Sequence, residues 1–246
     1  MARSHVQELA DRVPVWFHSI DLGDGVVTPG QKGGGPEYMR RELDSLRLPE
    51  LAGKSVLDIG AWDGFYAFEA ERRGASRVVA LDRYVWELDI HSPPPSPGPL
   101  PGKRGFDTAH EALGSSVEAV VGEFMDVDPT ALGRFDVVFF LGFLYHLEEP
   151  LAALRRLADV TGELALIETA AVEVAGEEDR ALWEFYGADE LDGDHTNWWA
   201  PNAKALESAC LAAGFREVEI VNRYRAEAAP PQDGVARLRL SAHARK

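Results

Sequence analysis

One stretch restricts the fold of this chain more than any other: Val56-Leu57-Asp58-Ile59-Gly60-Ala61-Trp62-Asp63-Gly64-Phe65, followed by a helical run and then by Val78-Val79-Ala80-Leu81-Asp82. An apolar strand runs into a glycine turn, a helix leaves the turn, and a second apolar strand ends on a carboxylate. That order predicts the nucleotide-binding half of a doubly wound α/β sheet. Ligands of such sheets lie beyond the carboxyl ends of the strands. Gly60, Trp62 and Gly64 of the turn and Asp82 at the tip of the second strand are therefore candidate cofactor contacts.

Charge around the turn selects among ligands. A dinucleotide site aims backbone amides and a helix N-terminus at a pyrophosphate, and acidic side chains there repel it. Here Asp58 and Asp63 flank the turn. Carboxylates suit a ligand without phosphate that carries a cationic amine and a sulfonium, with Asp82 accepting both ribose hydroxyls. These details point to S-adenosylmethionine. The plainer alternative has Asp63 capping the following helix and Asp82 merely ending a strand.

Further strands are expected at 117–121, 135–141 and 163–168, with helices at 108–113 and 151–158 between them, a β/α alternation that predicts a mainly parallel sheet covered on both faces. A helix at 203–213, Gly214, and strands at 216–221 and 235–242 close it with an antiparallel hairpin, for a Rossmann-like sheet of seven strands. Residues 1–52 read as an N-terminal arm or lid on a core of residues 53–246, one domain overall. The aromatics at Trp16-Phe17-His18, set among polar groups and glycines, suit a segment that folds over a site. Two interruptions stand out. Residues 84–106 hold six prolines between Pro93 and Pro101 and predict an exposed loop; residues 170–202 are polar, acidic and aromatic, and predict an inserted cap over the carboxyl edge of the sheet.

The net charge is −16, and between Ala170 and His195 nine acidic residues face one basic residue, Arg180. Nucleic-acid binders gain affinity when Lys and Arg displace phosphate counterions, so this charge disfavours an RNA substrate and favours a small-molecule acceptor. No run approaches the ~18 apolar residues of a membrane span. Met1 to Ala10 lacks the basic-then-apolar order of an export signal. The one cysteine, Cys210, falls on an amphipathic helix and reads as a buried thiol. These features predict a cytoplasmic protein with no membrane partner; a homodimer stays open.

The third strand ends at Glu123-Phe124, where apolar groups are expected to sandwich an adenine, with Glu123 or a backbone amide reading its exocyclic amine and Trp86 covering its other face. The fourth strand ends at Leu141, a further candidate cofactor contact, before Gly142-Phe143-Leu144-Tyr145-His146, and the fifth at Glu168. Tyr145, His146 and Glu168 are thereby expected near the transferable methyl. A hydroxyl acceptor has to lose a proton, and a histidine near neutral pKa typically contributes ~10²-fold or more as general base. His18, His146 and His195 are the candidates, and an electron-rich carbon such as indole C3 needs the same base. Each has a structural alternative: a backbone hydrogen bond for His146, a hydrophobic staple for His18, a turn at Asp194-His195-Thr196-Asn197 for His195. Trp198 and Trp199 are adjacent, so in extended backbone one faces the core and the other the pocket. The histidines are scattered without ligand spacing, and no metal is expected.

Val56-Leu57-Asp58-Ile59-Gly60, Gly142-Phe143-Leu144-Tyr145-His146 with Pro150-Leu151 and Gly162-Glu163-Leu164, and the Pro201-to-Phe215 segment together resemble the class I methyltransferases. Within them the chain is similar to the family that includes the enzyme carboxymethylating a wobble-position uridine in tRNA. The resemblance covers most of residues 14–221. It implies that Asp58, Gly60 and Asp82 hold the cofactor and that Tyr145 faces the active site. That tRNA enzyme uses a carboxylated donor held by basic side chains, of which Lys32 is a candidate for one while the second is not assigned to a position. The segments Trp16 to Gly30 and Asn197 to Asn202 look instead like relatives that modify sugars or secondary metabolites, so fold-level analogy does not decide the acceptor.

The reading is an S-adenosylmethionine-dependent methyltransferase of natural-product type acting on a small acceptor, a sugar or natural-product hydroxyl or an indole-like carbon. His18, Tyr145 and His146 are its catalytic candidates, and Trp16, Glu168, His195, Asn197, Trp198 and Asn202 its substrate contacts. A tRNA wobble-uridine enzyme and a donor-binding protein without catalysis are the alternatives.

Overall fold

A computed structural model describes residues 4–87, 102–224 and 234–246. They form two compact units, 1–126 and 127–246. The first holds α1 (His5–Ala10), α2 (Pro36–Leu46), β1 (Ser55–Ile59), α3 (Phe65–Arg72), β2 (Arg77–Asp82), α4 (Arg104–Leu113) and β3 (Glu118–Val121). Its strands run parallel in the order β3-β2-β1, with Val56 opposite Val78 and Ala80 opposite Ala119. In β1 and β2 every residue but the first is buried, the continuous apolar run of strands covered on both faces.

The second unit holds α5 (Pro129–Leu132), β4 (Phe135–Leu141), a 3₁₀ turn (Leu144–His146), α6 (Pro150–Val160), β5 (Thr161–Val174), β6 (Trp183–Phe185), β7 (Trp199–Pro201), α7 (Ala203–Ala213), β8 (Glu217–Tyr224) and β9 (Val235–Arg245). β4 and β5 are parallel, and β9 lies antiparallel between β5 and β8. The two sets of strands make up the expected seven-stranded, mostly parallel Rossmann-like sheet.

Helix boundaries follow local chemistry. Pro36, Pro129 and Pro150 start α2, α5 and α6, where the missing N–H costs nothing. Asn202 caps α7, which ends at Gly214 in the left-handed region, and Cys210 is buried on it with its thiol pushed up to about 12 by desolvation.

Three expectations change. The six prolines lie in residues 88–101, outside the described residues. The described flanks of that segment are not exposed loop: Val85, Trp86 and Phe106 are buried, and α4 starts at Arg104, four residues early, because Phe106 and Ala109 share its buried face. The cap segment does not begin at 170. Ala170 to Val172 are buried and extend β5 along β9 as far as Val174 opposite Val235, leaving β6 and β7 as a separate two-stranded ribbon.

The arm is packed rather than loose. Trp16, His18, Ile20, Leu22 and Val26 are buried, Asp21 and Val27 form a β-bridge, and Thr28 Oγ1 accepts from Ile20 N and donates to the His18 carbonyl.

Candidate active site

The glycine turn is held in a shape that most residues resist. Gly60 and Gly64 have φ of 77° and 87°, and a Cβ on Gly64 would collide with Phe68 and Phe106. Trp62 sits at φ 52°, a strained position for so bulky a residue and one that marks functional loops. Its N–H donates to Asp82 Oδ2 at 2.8 Å and its carbonyl accepts from Trp86 Nε1 at 2.6 Å. Its ring stacks on Phe17 at 4.2 Å. Trp62 Nε1 is buried without a partner among the described residues.

Asp58 and Asp82, both buried, end up at the carboxyl tips of β1 and β2. Burial, then the neighbouring charges of Asp82 and Asp63, push the Asp58 carboxyl up to about 7 against the restraint of an Ala67 hydrogen bond. Burial and Glu123 likewise push Asp82 up to about 6, opposed by amides of Trp62, Val85 and Arg83. Asp58 Oδ2 has no partner among the described residues. A cluster of buried, under-neutralised carboxylates fits a ligand bringing an ammonium and two hydroxyl donors. Phe124 is buried just past β3, and the Trp86 ring packs on Phe106 under the Lys103 ammonium.

Asp63 does not cap α3, whose N-cap is Gly64. Its Oδ2 accepts from the backbone amides of Phe17 at 3.0 Å and His18 at 2.8 Å, and its Oδ1 bonds His18 Nδ1. Beside this clamp Lys32 Nζ pairs with Glu42 Oε1 at 2.5 Å and donates to the Tyr66 hydroxyl at 3.1 Å.

In the second unit the turn after β4 gathers Tyr145, His146 and Glu168 with a residue the sequence reading missed, Arg239. The guanidinium makes two parallel bonds to Glu168, at 2.6 and 2.7 Å, and its carbon lies 4.6 Å from the centre of the Tyr145 ring. Burial alone would lower the Arg239 pKa; Glu168 and Tyr145 more than offset it. Gly142, at φ 68°, leaves the Tyr145 hydroxyl and Glu168 uncovered by any side chain of its own. The His146 ring packs against Tyr145, centroids 4.2 Å apart and tilted by 44°, with Nδ1 3.0 Å from Thr196 Oγ1 and 3.2 Å from its carbonyl. Burial lowers its pKa, Thr196 and Asp194 oppose that, and Arg239 adds to it. An alternating strand pattern in β9, Arg237-Leu238-Arg239-Leu240, was the available signal for Arg239, but nothing in it distinguished Arg239 from Arg237.

A family profile described as a methyltransferase domain matches residues 34–220. The chain belongs to the class I S-adenosylmethionine-dependent methyltransferases. A tRNA U34 carboxymethyltransferase of Stutzerimonas stutzeri (strain A1501) is 31% identical over 176 residues, which are 70% of this chain and 48% of that protein. The chain spans about half the length of the curated relatives it matches. Among solved structures, the N-terminal domain of EvdMO1, crystallised in the presence of SAH and D-fucose, superposes with a TM-score of 0.65 at 18% identity, covering 100% of this chain and 97% of that one. An S-adenosylmethionine-dependent methyltransferase from Mesorhizobium loti gives 0.51 at 16% identity, covering 83% and 97%.

Several expected substrate contacts in the methyltransferase are committed elsewhere. Trp16 is buried, with Nε1 donating to the Ala10 carbonyl, so Phe17 is the arm aromatic that remains partly open. Asn202 uses its whole amide: Oδ1 accepts from Ala205 N and Leu182 N, and Nδ2 donates to the Arg180 carbonyl. Neither tryptophan of the pair faces the core. Trp198 and Trp199 are both partly exposed because only Trp199 lies in a strand, and it is Ala200 that is buried. Trp199 lines an apolar groove of about 470 Å³ with Trp183, Leu151 and Ala205, which contains none of Tyr145, His146 or Glu168. Trp198 N donates to the Tyr145 carbonyl. Asn197 is buried, its Nδ2 on the Leu191 carbonyl and its Oδ1 unpartnered among the described residues. His195 is exposed on the turn, and Leu141 is partly buried at the end of β4. Among the described residues no helix is long and apolar enough to cross a membrane.

Proposed function

We propose that this methyltransferase methylates a hydroxyl of a small, sugar-like acceptor, with His146 as the general base. The observation that carries the reading is His146 itself: an imidazole held below its ordinary pKa by burial, beside Tyr145 and past the carboxyl end of β4, where open α/β sheets bind ligands. Such a ring is neutral near physiological pH and ready to take a proton.

S-adenosylmethionine, when bound, supplies a methyl carbon to an in-line displacement in which the acceptor oxygen forms the new bond and the carbon–sulfur pair leaves with sulfur. Asp58 and Asp82 would hold its cationic and hydroxyl groups beside the glycine turn, where Trp62 stacks on Phe17. Positioning of this kind is worth effective molarities on the order of 10⁵ M or more. His146 takes the acceptor proton. His18 is the weaker candidate, because it is buried and held by Asp63 at both its backbone amide and its ring. The solved EvdMO1 domain in the presence of SAH and D-fucose supports a sugar-like acceptor.

The second reading is tRNA wobble-uridine carboxymethylation, favoured by the curated relatives. Against it stand the net charge of −16 and the pairing of Lys32 with Glu42, which neutralises the ammonium suited to a donor carboxylate. Calorimetric titration with S-adenosylhomocysteine and with carboxy-S-adenosylmethionine separates the two. Preference for the first, followed by methyl transfer to deoxyhexose acceptors that His146→Ala abolishes, supports the proposal. Preference for the carboxylated donor overturns it.

A further inference from the structure

Two acceptors face His146 Nδ1, and neither has a proton to give it. The Thr196 carbonyl is one, at 3.2 Å. The Thr196 hydroxyl is the other, at 3.0 Å, and its single proton is directed at Asp194 Oδ1, 2.7 Å away. The same Asp194 oxygen accepts from Thr196 N at 2.8 Å, so the carboxylate fixes both the backbone and the hydroxyl of Thr196. The chain Asn197 N to Asp194 carbonyl closes the turn around them.

We propose that Asp194 and Thr196 are positioning residues that lock His146 in its Nδ1–H tautomer, leaving the Nε2 lone pair as the proton acceptor. The inference rests on the assignment of His146 as general base in the preceding section. A hydroxyl that already donates to a carboxylate can only accept, so Nδ1 has to carry the hydrogen in the neutral ring. The arrangement resembles in logic a catalytic histidine oriented by a carboxylate, with the threonine hydroxyl interposed between acid and ring. When Nε2 gains a proton, the two Thr196 acceptors and the Asp194 charge are already in place to stabilise the imidazolium. The other charges acting on the ring are Arg239, which opposes that state, and Glu168, which neutralises Arg239. The Tyr145 ring covers one side.

This gives the acidic turn a purpose the sequence reading did not assign. His195 is exposed, while its neighbour Thr196 reaches His146, fifty positions earlier, and its other neighbour Asp194 holds Thr196.

The tautomer is read directly by long-range ¹H–¹⁵N correlation spectra of protein labelled at histidine nitrogens, with the His146 signals assigned by their loss in His146→Gln. Wild type should show the Nδ1–H form as the dominant neutral species. Thr196→Val should shift the population toward Nε2–H, the form free imidazole side chains prefer, and Asp194→Asn should shift it partway. Thr196→Ser, which keeps the hydroxyl, should restore the wild-type pattern. A dominant Nε2–H signal in wild type overturns the proposal, and so does a Thr196→Val spectrum indistinguishable from wild type, because the Thr196 carbonyl at 3.2 Å would then hold the tautomer without the hydroxyl or Asp194. Because no acceptor is needed, these outcomes are separate from the test of the base itself: loss of the His146→Ala effect on turnover with an intact Nδ1–H tautomer would reject the general-base reading and keep the positioning geometry.

Discussion

Asp63 holds His18 twice, accepting its backbone amide at 2.8 Å and bonding its Nδ1, while taking the Phe17 amide on the same carboxylate. A residue of the glycine turn is thus the anchor of the N-terminal arm. The aromatic surface of the arm, Phe17, is delivered onto Trp62 of the same turn by that anchor. Turn shape and arm position are one arrangement, sharing a single carboxylate.

Asp63→Asn should therefore loosen the arm. An amide keeps one accepting oxygen but presents an N–H₂ to donors that need an acceptor. Hydrogen bonds to a charged group contribute roughly 1.5–3 kcal/mol each and are not additive, so a loss on the order of 2–4 kcal/mol is expected. Urea denaturation measures it, and limited proteolysis within residues 14–30 locates it. Wild-type stability in the variant would remove Asp63 as the anchor.

Donor binding should strengthen with pH. Asp58 and Asp82 have folded pKa values of about 7 and about 6, raised chiefly by burial. A ligand that brings an ammonium and hydroxyl donors to these carboxylates favours their ionised forms, so binding releases protons and the dissociation constant for S-adenosylhomocysteine should fall as pH rises through that range. The free protein should behave oppositely. Groups whose acid form is favoured by folding bind more protons folded than unfolded between their unfolded pKa values, near 4, and their folded ones. Stability of the free protein should then decline as pH climbs from about 4 toward about 7. Calorimetry in two buffers of different ionisation enthalpy reads the proton release. An affinity flat across the window would reject the carboxylates as donor ligands.

The sheet was legible because β1, β2, β4 and α7 are near-continuous apolar or strongly periodic segments whose ends are marked by Gly60, Gly64, Asn202 and Gly214. Asp58 and Asp82 followed from their place at strand tips. Roles set by distant contacts were not legible. Asp63 sits where a helix cap belongs by sequence, yet its partners are 45 and 46 residues away. Arg239 meets Glu168 across 71 residues through the β5 and β9 pairing, a register no local pattern encodes. Asn202 reads as a substrate contact beside the aromatic pair, yet an asparagine before a helix is first a cap, and its Oδ1 accepts from Ala205 N.

Lys32→Met should cost stability and leave donor choice alone. It removes the cationic partner of Glu42, whose side chain is 13% exposed, and among the described residues leaves that carboxylate with the Tyr66 hydroxyl. A loss of about 1–3 kcal/mol is expected in thermal or urea unfolding. Affinity for S-adenosylhomocysteine should change by less than about 1 kcal/mol, since the ammonium is already neutralised. A large loss confined to carboxy-S-adenosylmethionine would identify Lys32 as a carboxylate-binding group and revive the tRNA reading.

Arg239 is one of the charges that act on His146. Its positive charge opposes formation of the imidazolium, in the same direction as burial, while Asp194 and Thr196 act the other way. Removing it as Arg239→Met should raise the His146 pKa, and the Glu168 carboxylate freed by the change adds to the shift. In Arg239→Met/Glu168→Gln, where no uncompensated charge remains, the shift should be smaller but of the same sign. A base has to be unprotonated to act, so the acidic limb of the rate profile should move to higher pH in both variants. Histidine ¹⁵N titration reads the pKa without an acceptor, and the rate profile follows once one is in hand. A pKa that falls or stays fixed in both variants would show that Arg239 braces Tyr145 and Glu168 without tuning the base.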